Sequence, residues 1–542
     1  MSAISSPLMM GGGTTTFELS RSLRLNRVDA PSLYRTTTMP PSSGSAATVS
    51  FWIKRSELSA SNNSNRTYLF YNGNSIGTGT ILALEFNSDN LAVWLDGSGV
   101  SLLTTAKFVD TTAWMHILFR LNSSEGISSD RLKLYANGVQ ITSFSTATYP
   151  SSYFMYAFSS GNEIWITDKL AQNRQSGSYI ADYYFIDGTA LDPTSFTEQV
   201  DGVLSPKAYS GSYGYNGFHL TFSDNSTASS SGIGKDTSGL NNDFTPVNIS
   251  VASGVNNDSL FDTPTRYGVD TGSGGQVRGN YATFNSFHRG SAVVLKNGNL
   301  NVEMLPADPN TRGYSTLGMT TGKWYCEVEA ISGASNPVFG IAKKDSGLYE
   351  YPGYDGTSYG YKPSSGIFYN AGMGMSYGSL TPAFNAYGIV FDASNGTISF
   401  TIDGVDQGVA ASSIPAGTYF FAIGDTGAFN TTFNFGQRPF FYNAPSGHKT
   451  LSSESLPAES VITSGSFTGN SSSDGPFIYL NGAPSTLLIN GYAVTWGTHA
   501  NKYATGFKVI TSLSSYNFAG INSFNVTVAG AVAKNGRALT NP

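Results

Sequence analysis

The chain has 542 residues, of which 12% are charged and 13% aromatic, with a formal net charge of −6 and a single cysteine. A prior of roughly 150 residues per domain gives three or four domains, and the abundance of Gly, Ser, Thr and Asn beside aromatic side chains is that of strands joined by tight turns. The acidic balance and the lack of a dense Lys/Arg run exclude a general attraction for nucleic acid, and the lone Cys326 excludes an internal disulfide and reads as a small buried hydrophobe.

Met1 to Gly13 has neither a basic n-region nor an apolar h-region, and no stretch approaches the roughly 18 apolar residues that cross a bilayer. The expectation is a chain made in a reducing cytoplasm, without membrane insertion, whose residues 1–19 form an arm that orders against an attachment partner. Residues 20–199 alternate with a period of two in Thr48–Lys54, Ile81–Phe86, Leu91–Leu95 and Leu132–Tyr135. Such runs give one face to a core and the other to solvent or a second sheet. The breaks Asn72-Gly73, Asp96-Gly97, Asn137-Gly138 and Asp187-Gly188 predict tight hairpins, because each pair tolerates positive φ. Many short strands without a convincing amphipathic helix predict a sandwich or jelly roll.

Taken in order, Ser50-Phe-Trp-Ile-Lys-Arg55, Trp114-Met-His116, Leu132–Val139 and Tyr179–Gly188 resemble a laminin-G-like, concanavalin A-like jelly roll. The chain lacks the cysteine pair of the secreted laminin modules, which argues against an extracellular animal origin. Residues 200–282 read as an irregular connector, with Ser226–Gly234 flexible and Asp262-Thr-Pro-Thr265 a turn. Its pieces Gly211–Phe218 and Lys235–Phe244 resemble the bridge between a laminin-G-like and a SPRY module in tailed-phage virion proteins.

Within residues 283–443, three runs stand in sequence: Gly322-Lys-Trp-Tyr-Cys-Glu-Val-Glu329, Tyr387-Gly-Ile-Val-Phe-Asp392 and Phe433-Asn-Phe-Gly436. They resemble a SPRY β-sandwich. Trp324, Cys326 and Val328 repeat at strand spacing, as do Ile398, Phe400 and Ile402 before the Asp403-Gly404 turn, with Phe339–Ala342 and Phe421–Gly424 as further strands. Residues 444–542 regain strands at Pro476–Leu480, Ser485–Ile489 and Phe524–Val528 and read as a small β domain or assembly arm. The fold class expected is all-β and multidomain: a concanavalin A-like jelly-roll sandwich, a SPRY-like β-sandwich and a small C-terminal β region.

Catalytic chemistry finds little footing. Glycoside hydrolysis needs two carboxylates about 5 to 10 Å apart across the scissile bond. Glu163 has no acidic neighbour two residues on, and Glu327 and Glu329 share a strand face that ordinary solvent-facing alternation explains. The histidines at 116, 219, 288, 448 and 499 are not spaced as metal ligands, and His116 beside Trp114 reads as structural. No catalytic residue is assigned and no enzyme is expected. No cofactor is expected either, except that calcium stays open in the laminin-G-like domain, where Asp89, Asp96, Asp110 and Asp130 lie near strand ends.

The candidate binding residues are Tyr349, Tyr351, Tyr354, Tyr359, Tyr361 and Tyr369, in Gly- and Ser-rich surroundings. Tyrosine offers a flat apolar face and a hydroxyl at small entropic cost, which suits stacking on a sugar ring or forming a protein hot spot. Tyr359 and Tyr361 also alternate as they would if packed inside a strand. The phage resemblance implies a non-enzymatic virion protein, a tail fibre or other appendage that touches host-surface glycan or protein through loops. The alternatives are a head-decoration or collar protein that binds only neighbouring virion subunits, and a surface-polysaccharide depolymerase. Homo-oligomerisation is expected, a trimer being the usual fibre arrangement, although no heptad or triple-helical repeat demands it.

Overall fold

The computed structural model of the protein describes residues 17–58, 66–73, 80–95, 100–152, 161–167, 177–200, 202–305, 311–332, 337–343, 346–379, 386–425, 427–456, 464–467, 477–479, 486–489, 492–497, 500–509 and 524–529. The expected arm, apart from its last residues, and the Asp96-Gly97 turn lie outside these. The described chain is all-β.

The first sandwich pairs two sheets. One runs Val139–Ile141, Leu132–Ala136, Met115–Asn122, Ala46–Arg55, Ser178–Asp187, Ser22–Leu25 and Ser259–Leu260, with Phe218–Leu220 also on Ser178–Asp187. The other runs Phe144–Ala147, Val100–Lys107, Asn90–Leu95, Thr80–Asn87, Arg66–Gly73, Glu163–Ile166, Ser32–Thr36 and Thr245–Val247. Alternate residues such as Val49, Phe51, Ile53, Ile117, Phe119, Leu84 and Val93 close one core. The Asn137-Gly138 pair makes the expected hairpin with φ of 49° and 78°. Asn72-Gly73 instead ends a strand: Asn72 is buried opposite Leu82 and Ile164, and Gly73 closes the ladder opposite Thr80 and Glu163.

The connector is part of the fold. Phe218–Leu220, Thr245–Val247 and Ser259–Leu260 each add a strand to the first sandwich. Ser226–Gly234, expected to be flexible, is folded by Ile233 N–H to Thr227 and Gly234 N–H to Ser229, and Ile233 is fully buried in the first core. One buried apolar side chain, isolated in a polar run, outweighs the composition around it.

The second sandwich has one sheet of Phe284–Arg289, Gly313–Ser315, Tyr419–Gly424, Val338–Lys343, Ser358–Lys362, Ile367–Asn370 and Met373–Ser376. Facing it are Val293–Lys296, Asn301–Met304, Asn430–Asn434, Lys323–Ser332, Ala386–Asp392, Thr397–Ile402 and Val405–Ala411. Trp324, Cys326, Val328, Ile398, Phe400 and Ile402 share its core, and Asp403-Gly404 turns with φ of 47° and 78°. Residues 444–456 still belong here, since Leu451 and Leu456 pack in this core and Tyr325 N–H donates to the Lys449 carbonyl. Beyond them, Phe477–Tyr479, Gly506–Val509 and Ala500–Tyr503 form a three-stranded sheet. Its Phe477, Tyr479 and Tyr503 pack on Tyr314, Ala342, Phe420 and Ala422. Ser464–Phe467, Phe524–Ala529, Thr486–Ile489 and Tyr492–Ala493 form a four-stranded sheet.

The sandwiches share a buried junction. Trp52, Trp114 and Tyr179 of the first pack in the core of the second, although Trp52 and Lys54 lie on the face of Ala46–Arg55 turned away from the first core. Lys54 Nζ donates to Asp262 Oδ2 and to the Tyr281 carbonyl, both at 2.8 Å, and Trp114 Nε1 donates to Asp262 Oδ1 at 2.8 Å. Burial pushes the Lys54 ammonium down and the Asp262 carboxyl up, each opposed by the other's charge.

Candidate functional site: a tyrosine cluster on a pinned loop

The loop between Val338–Lys343 and Ser358–Lys362 carries Tyr349, Tyr351 and Tyr354, and Tyr369 meets them from Ile367–Asn370. Ring centroids lie 6.2 Å apart for Tyr349 and Tyr354, 5.8 Å for Tyr351 and Tyr354, and 5.3 Å for Tyr351 and Tyr369. Tyr349 and Tyr354 are 49% and 47% exposed, while Tyr351 and Tyr369 are half-buried. The other two candidates part from this group. Tyr359 and Tyr361, at 7% and 0% exposure, point from Ser358–Lys362 into the core, where Tyr361 contacts Phe339, Tyr377 and Phe400. Strand alternation puts both on the inner face, out of reach of a ligand.

Sequence reading missed what holds the loop. Arg312, fully buried, donates through Nη1 to Asp355 Oδ2 at 2.7 Å and through Nη2 to the Tyr351 carbonyl at 2.8 Å. Tyr314 Oη donates to the carbonyls of Ser346 and Gly347. Asp355 Oδ1 accepts from the Thr357 amide and hydroxyl, and Gly353 N–H donates to Ser358 Oγ. Burial raises the Asp355 carboxyl, but the Arg312 charge and the Thr357 bonds outweigh it and hold the group below its ordinary range.

Two glycines let the loop lie flat on the sheet. A Cβ at Gly360 would meet the Pro352 carbonyl oxygen at 2.1 Å, and one at Gly424 would meet Tyr351 Cα at 3.1 Å. The Tyr-Gly-Tyr run at 359–361 was the available signal: large residues inward, with a glycine under a crossing backbone between them. The resulting surface is a group of rings with phenolic hydroxyls, and burial raises the Tyr351 phenol above its ordinary value. It offers stacking faces and neutral hydrogen bonds.

The glutamates expected to face solvent are buried. Glu327 and Glu329 are 0% and 1% exposed, because residues 438–442 cover the outer face of Lys323–Ser332. Glu327 accepts from the Phe441 and Tyr442 amides, and Glu329 accepts from Arg438 at 3.0 Å. Burial pushes Glu327 up to about 7 despite those donors. Both carboxylates thus serve the fold. His116 is buried with Nε2 at 2.8 Å from Ser50 Oγ, and Cys326 is buried as a hydrophobe.

Of the aspartates considered for calcium, Asp89 pairs with Arg55 at 2.9 Å and Asp130 with Lys133 at 3.0 Å. Asp110 accepts from Thr112 and from the Ala504 amide, and Asp96 lies outside the described residues. Among the described residues, no three His, Cys, Asp or Glu side chains come together as a metal-binding group, and no helix is long and apolar enough to cross a membrane.

Residues 31–172 match the concanavalin A-like lectin/glucanases superfamily, and residues 323–438 match the SPRY domain. A Ran-binding proteins 9/10 homolog of Drosophila melanogaster is 32% identical over 125 residues, 22% of this chain and 13% of that protein. Ran-binding protein 10 of Danio rerio is 28% identical over 162 residues, 28% of this chain and 27% of that one. Ran-binding protein 9 of Homo sapiens is 28% identical over 137 residues, 25% and 19% respectively. The chain thus spans less than a third of each of these relatives. Among solved structures, the TRIM65 PSpry domain aligns with 28% of this chain and 92% of its own (13% identity, TM-score 0.25). A heptameric SAP-like pentraxin from Limulus polyphemus aligns with 30% and 71% (20% identity, TM-score 0.23). The chain therefore carries a laminin-G-like, concanavalin A-like domain followed by a SPRY domain.

Proposed function

We propose that the protein is a non-enzymatic adhesion subunit of a phage particle, a tail fibre or other appendage, whose SPRY-like loops touch glycan or protein on the host surface. The observation that carries the binding reading is the group of Tyr349, Tyr351, Tyr354 and Tyr369, exposed or half-exposed on a loop pinned by buried Arg312. A surface ordered before binding loses little entropy on contact, and many copies on one particle turn weak single contacts into useful avidity. The virion placement rests on the two-module layout and its connector; the named relatives are Ran-binding proteins and do not supply it. Imaging of particles with the subunit tagged tests the placement. Adsorption of particles carrying Tyr354→Ala tests the role, and normal adsorption would overturn it.

An architectural reading has its own support in an open edge. Met373 and Met375 on Met373–Ser376, and Val405 and Val409 on Val405–Ala411, are each more than half exposed. Two edge strands, unpaired on their outer side among the described residues and bearing apolar side chains, suit contact with a second copy of the chain. The solution mass of the purified protein, with and without Met373→Lys and Val409→Lys, decides this. Oligomers that survive both changes would remove this edge as their interface.

A further inference from the structure

The two connector pieces at residues 211–218 and 235–244 close on each other at one end of the first sandwich. Asn242 Nδ2 donates to the carbonyls of Tyr215 and Gly217 at 3.0 and 2.8 Å, and Asp236 accepts from the His219 and Ser238 amides. Asp187, 2% exposed at the end of Ser178–Asp187, anchors the first piece. Its Oδ2 accepts from the Ser42 and Asn216 amides at 3.0 and 3.1 Å and from Asn216 Nδ2 at 3.2 Å. Glycine makes the approach possible, since a Cβ at Gly214 would meet the Asp187 carbonyl oxygen at 2.0 Å. Between these turns and residues 42–43 opens a cleft of about 620 Å³, with Thr189, Ser212, Tyr213, Tyr215, Ser238 and Leu240 in its wall.

The wall selects by charge. Among the described residues it holds no Lys, Arg or His, and its one carboxylate, Asp187, is engaged by the four donors of Ser42 and Asn216. An anion finds no counter-charge there, and the carboxylate is taken up by the protein's own donors. Neutral hydroxyls remain. The Tyr213 ring packs on Tyr184 and Tyr209 at centroid distances of 6.4 and 5.3 Å, and its hydroxyl has no hydrogen-bond partner among the described residues. Ser212 Oγ accepts from the Gly214 amide, and its own proton has no acceptor among the described residues. Tyr215 and Leu240, 59% and 44% exposed, add apolar surface beside these groups. Hydroxyls next to an aromatic and an aliphatic face match a sugar ring, which carries O–H groups on its rim and C–H groups on its faces. We propose that this cleft binds a neutral oligosaccharide, one hexose ring lying on Tyr215 with its hydroxyls toward Tyr213 and Ser212. An extended peptide is the poorer match, because the amides of Gly214, Tyr215 and Asn216 are already committed to Ser212, Ser42 and Asp187. The volume lies within the roughly 300–1,000 Å³ of small-ligand pockets, which suits a short oligomer. The cleft shares no residue with the tyrosine cluster of the second sandwich and stands whether or not that cluster binds.

The test is calorimetric titration of the full chain with short oligomers of glucose, galactose and mannose, beside a galacturonate oligomer of equal length and an uncharged peptide. Binding of at least one neutral oligomer is expected, with the uronate about tenfold weaker or silent. Tyr215→Ala should weaken that oligomer about tenfold, the loss of one aromatic face. Tyr213→Phe keeps the ring packing and removes only the hydroxyl, and a loss of about fivefold is expected from one hydrogen bond. Tyr354→Ala should leave the same binding unchanged. Failure of all three neutral oligomers, equal binding of the uronate, or a Tyr215-dependent response to the peptide alone would overturn the assignment. So would binding that survives both Tyr215→Ala and Tyr213→Phe, or that is lost in Tyr354→Ala instead. Tyr215 is exposed, so its variant is expected to fold, and circular dichroism checks this before titration.

Discussion

At the residue scale, the six candidate tyrosines separate by which way a strand turns them. Tyr361→Ala should cost about 3–5 kcal/mol in urea unfolding, as large aromatic truncations in cores do. Tyr354→Ala should stay within about 0.5 kcal/mol of the parent while losing ligand binding. The composition of the segment was legible, and so was the choice between packing and contact at 359 and 361. Arg312 was not, because a lone arginine gives no pattern until the fold brings Asp355 and the Tyr351 carbonyl to it. That pair also sets a pH dependence. A carboxyl held below its unfolded value stabilises the loop above the ordinary aspartate range and loses that contribution as pH falls through its lower folded value. Binding through the cluster should therefore weaken below about pH 4. Asp355→Asn should show the weakened binding already at neutral pH, with the acid step gone from its pH profile.

At the element scale, two glycine substitutions separate turn strain from displacement of the loop. Gly138 has φ +78°, and an added Cβ meets only Leu204 side-chain atoms, at 3.7 Å and beyond. Gly138→Ala should cost about 1–2 kcal/mol by unfolding, the price of a left-handed L-residue, and leave binding intact. Gly360→Ala should lower both stability and binding, because its methyl group meets the Pro352 carbonyl of the tyrosine loop itself. Unchanged binding there would show that the loop need not lie on the sheet. Strands were the most legible feature: alternation located Ala46–Arg55 and Thr397–Ile402 closely, and the laminin-G-like resemblance placed Ser178–Asp187. Alternation does not say what covers the second face, which is why Glu327 and Glu329 were expected in solvent and lie under residues 438–442. Asn-Gly marked a turn at 137–138 and the end of a strand at 72–73, where ladder pairing on both sides holds the pair in the sheet.

At the scale of the whole molecule, the connector and the junction make two sandwiches behave as one body. Lys54 and Asp262 are each 1% exposed, and removing one partner of such a pair leaves a buried charge at a cost of about 3–5 kcal/mol. Calorimetry of the parent should show the two sandwiches melting in one transition, and Lys54→Met should lower it or split it in two. Two separate transitions in the parent would mean that the junction does not couple them. The sequence told the order of the modules but could not show this junction, since alternation alone leaves the second face of Ala46–Arg55 to solvent or to another sheet.

On the proposed reading, the pinned tyrosines hold a surface ligand without cutting it. The most direct measurement is retention of purified host-envelope polysaccharide on immobilised parent protein and on the Tyr349→Ala/Tyr354→Ala variant, with the polymer sized after elution. Retention by the parent, about tenfold or greater loss in a variant of unchanged melting temperature, and unshortened polymer are predicted, a tenfold change being about 1.4 kcal/mol. Shortened polymer, or equal retention by both proteins, would contradict it.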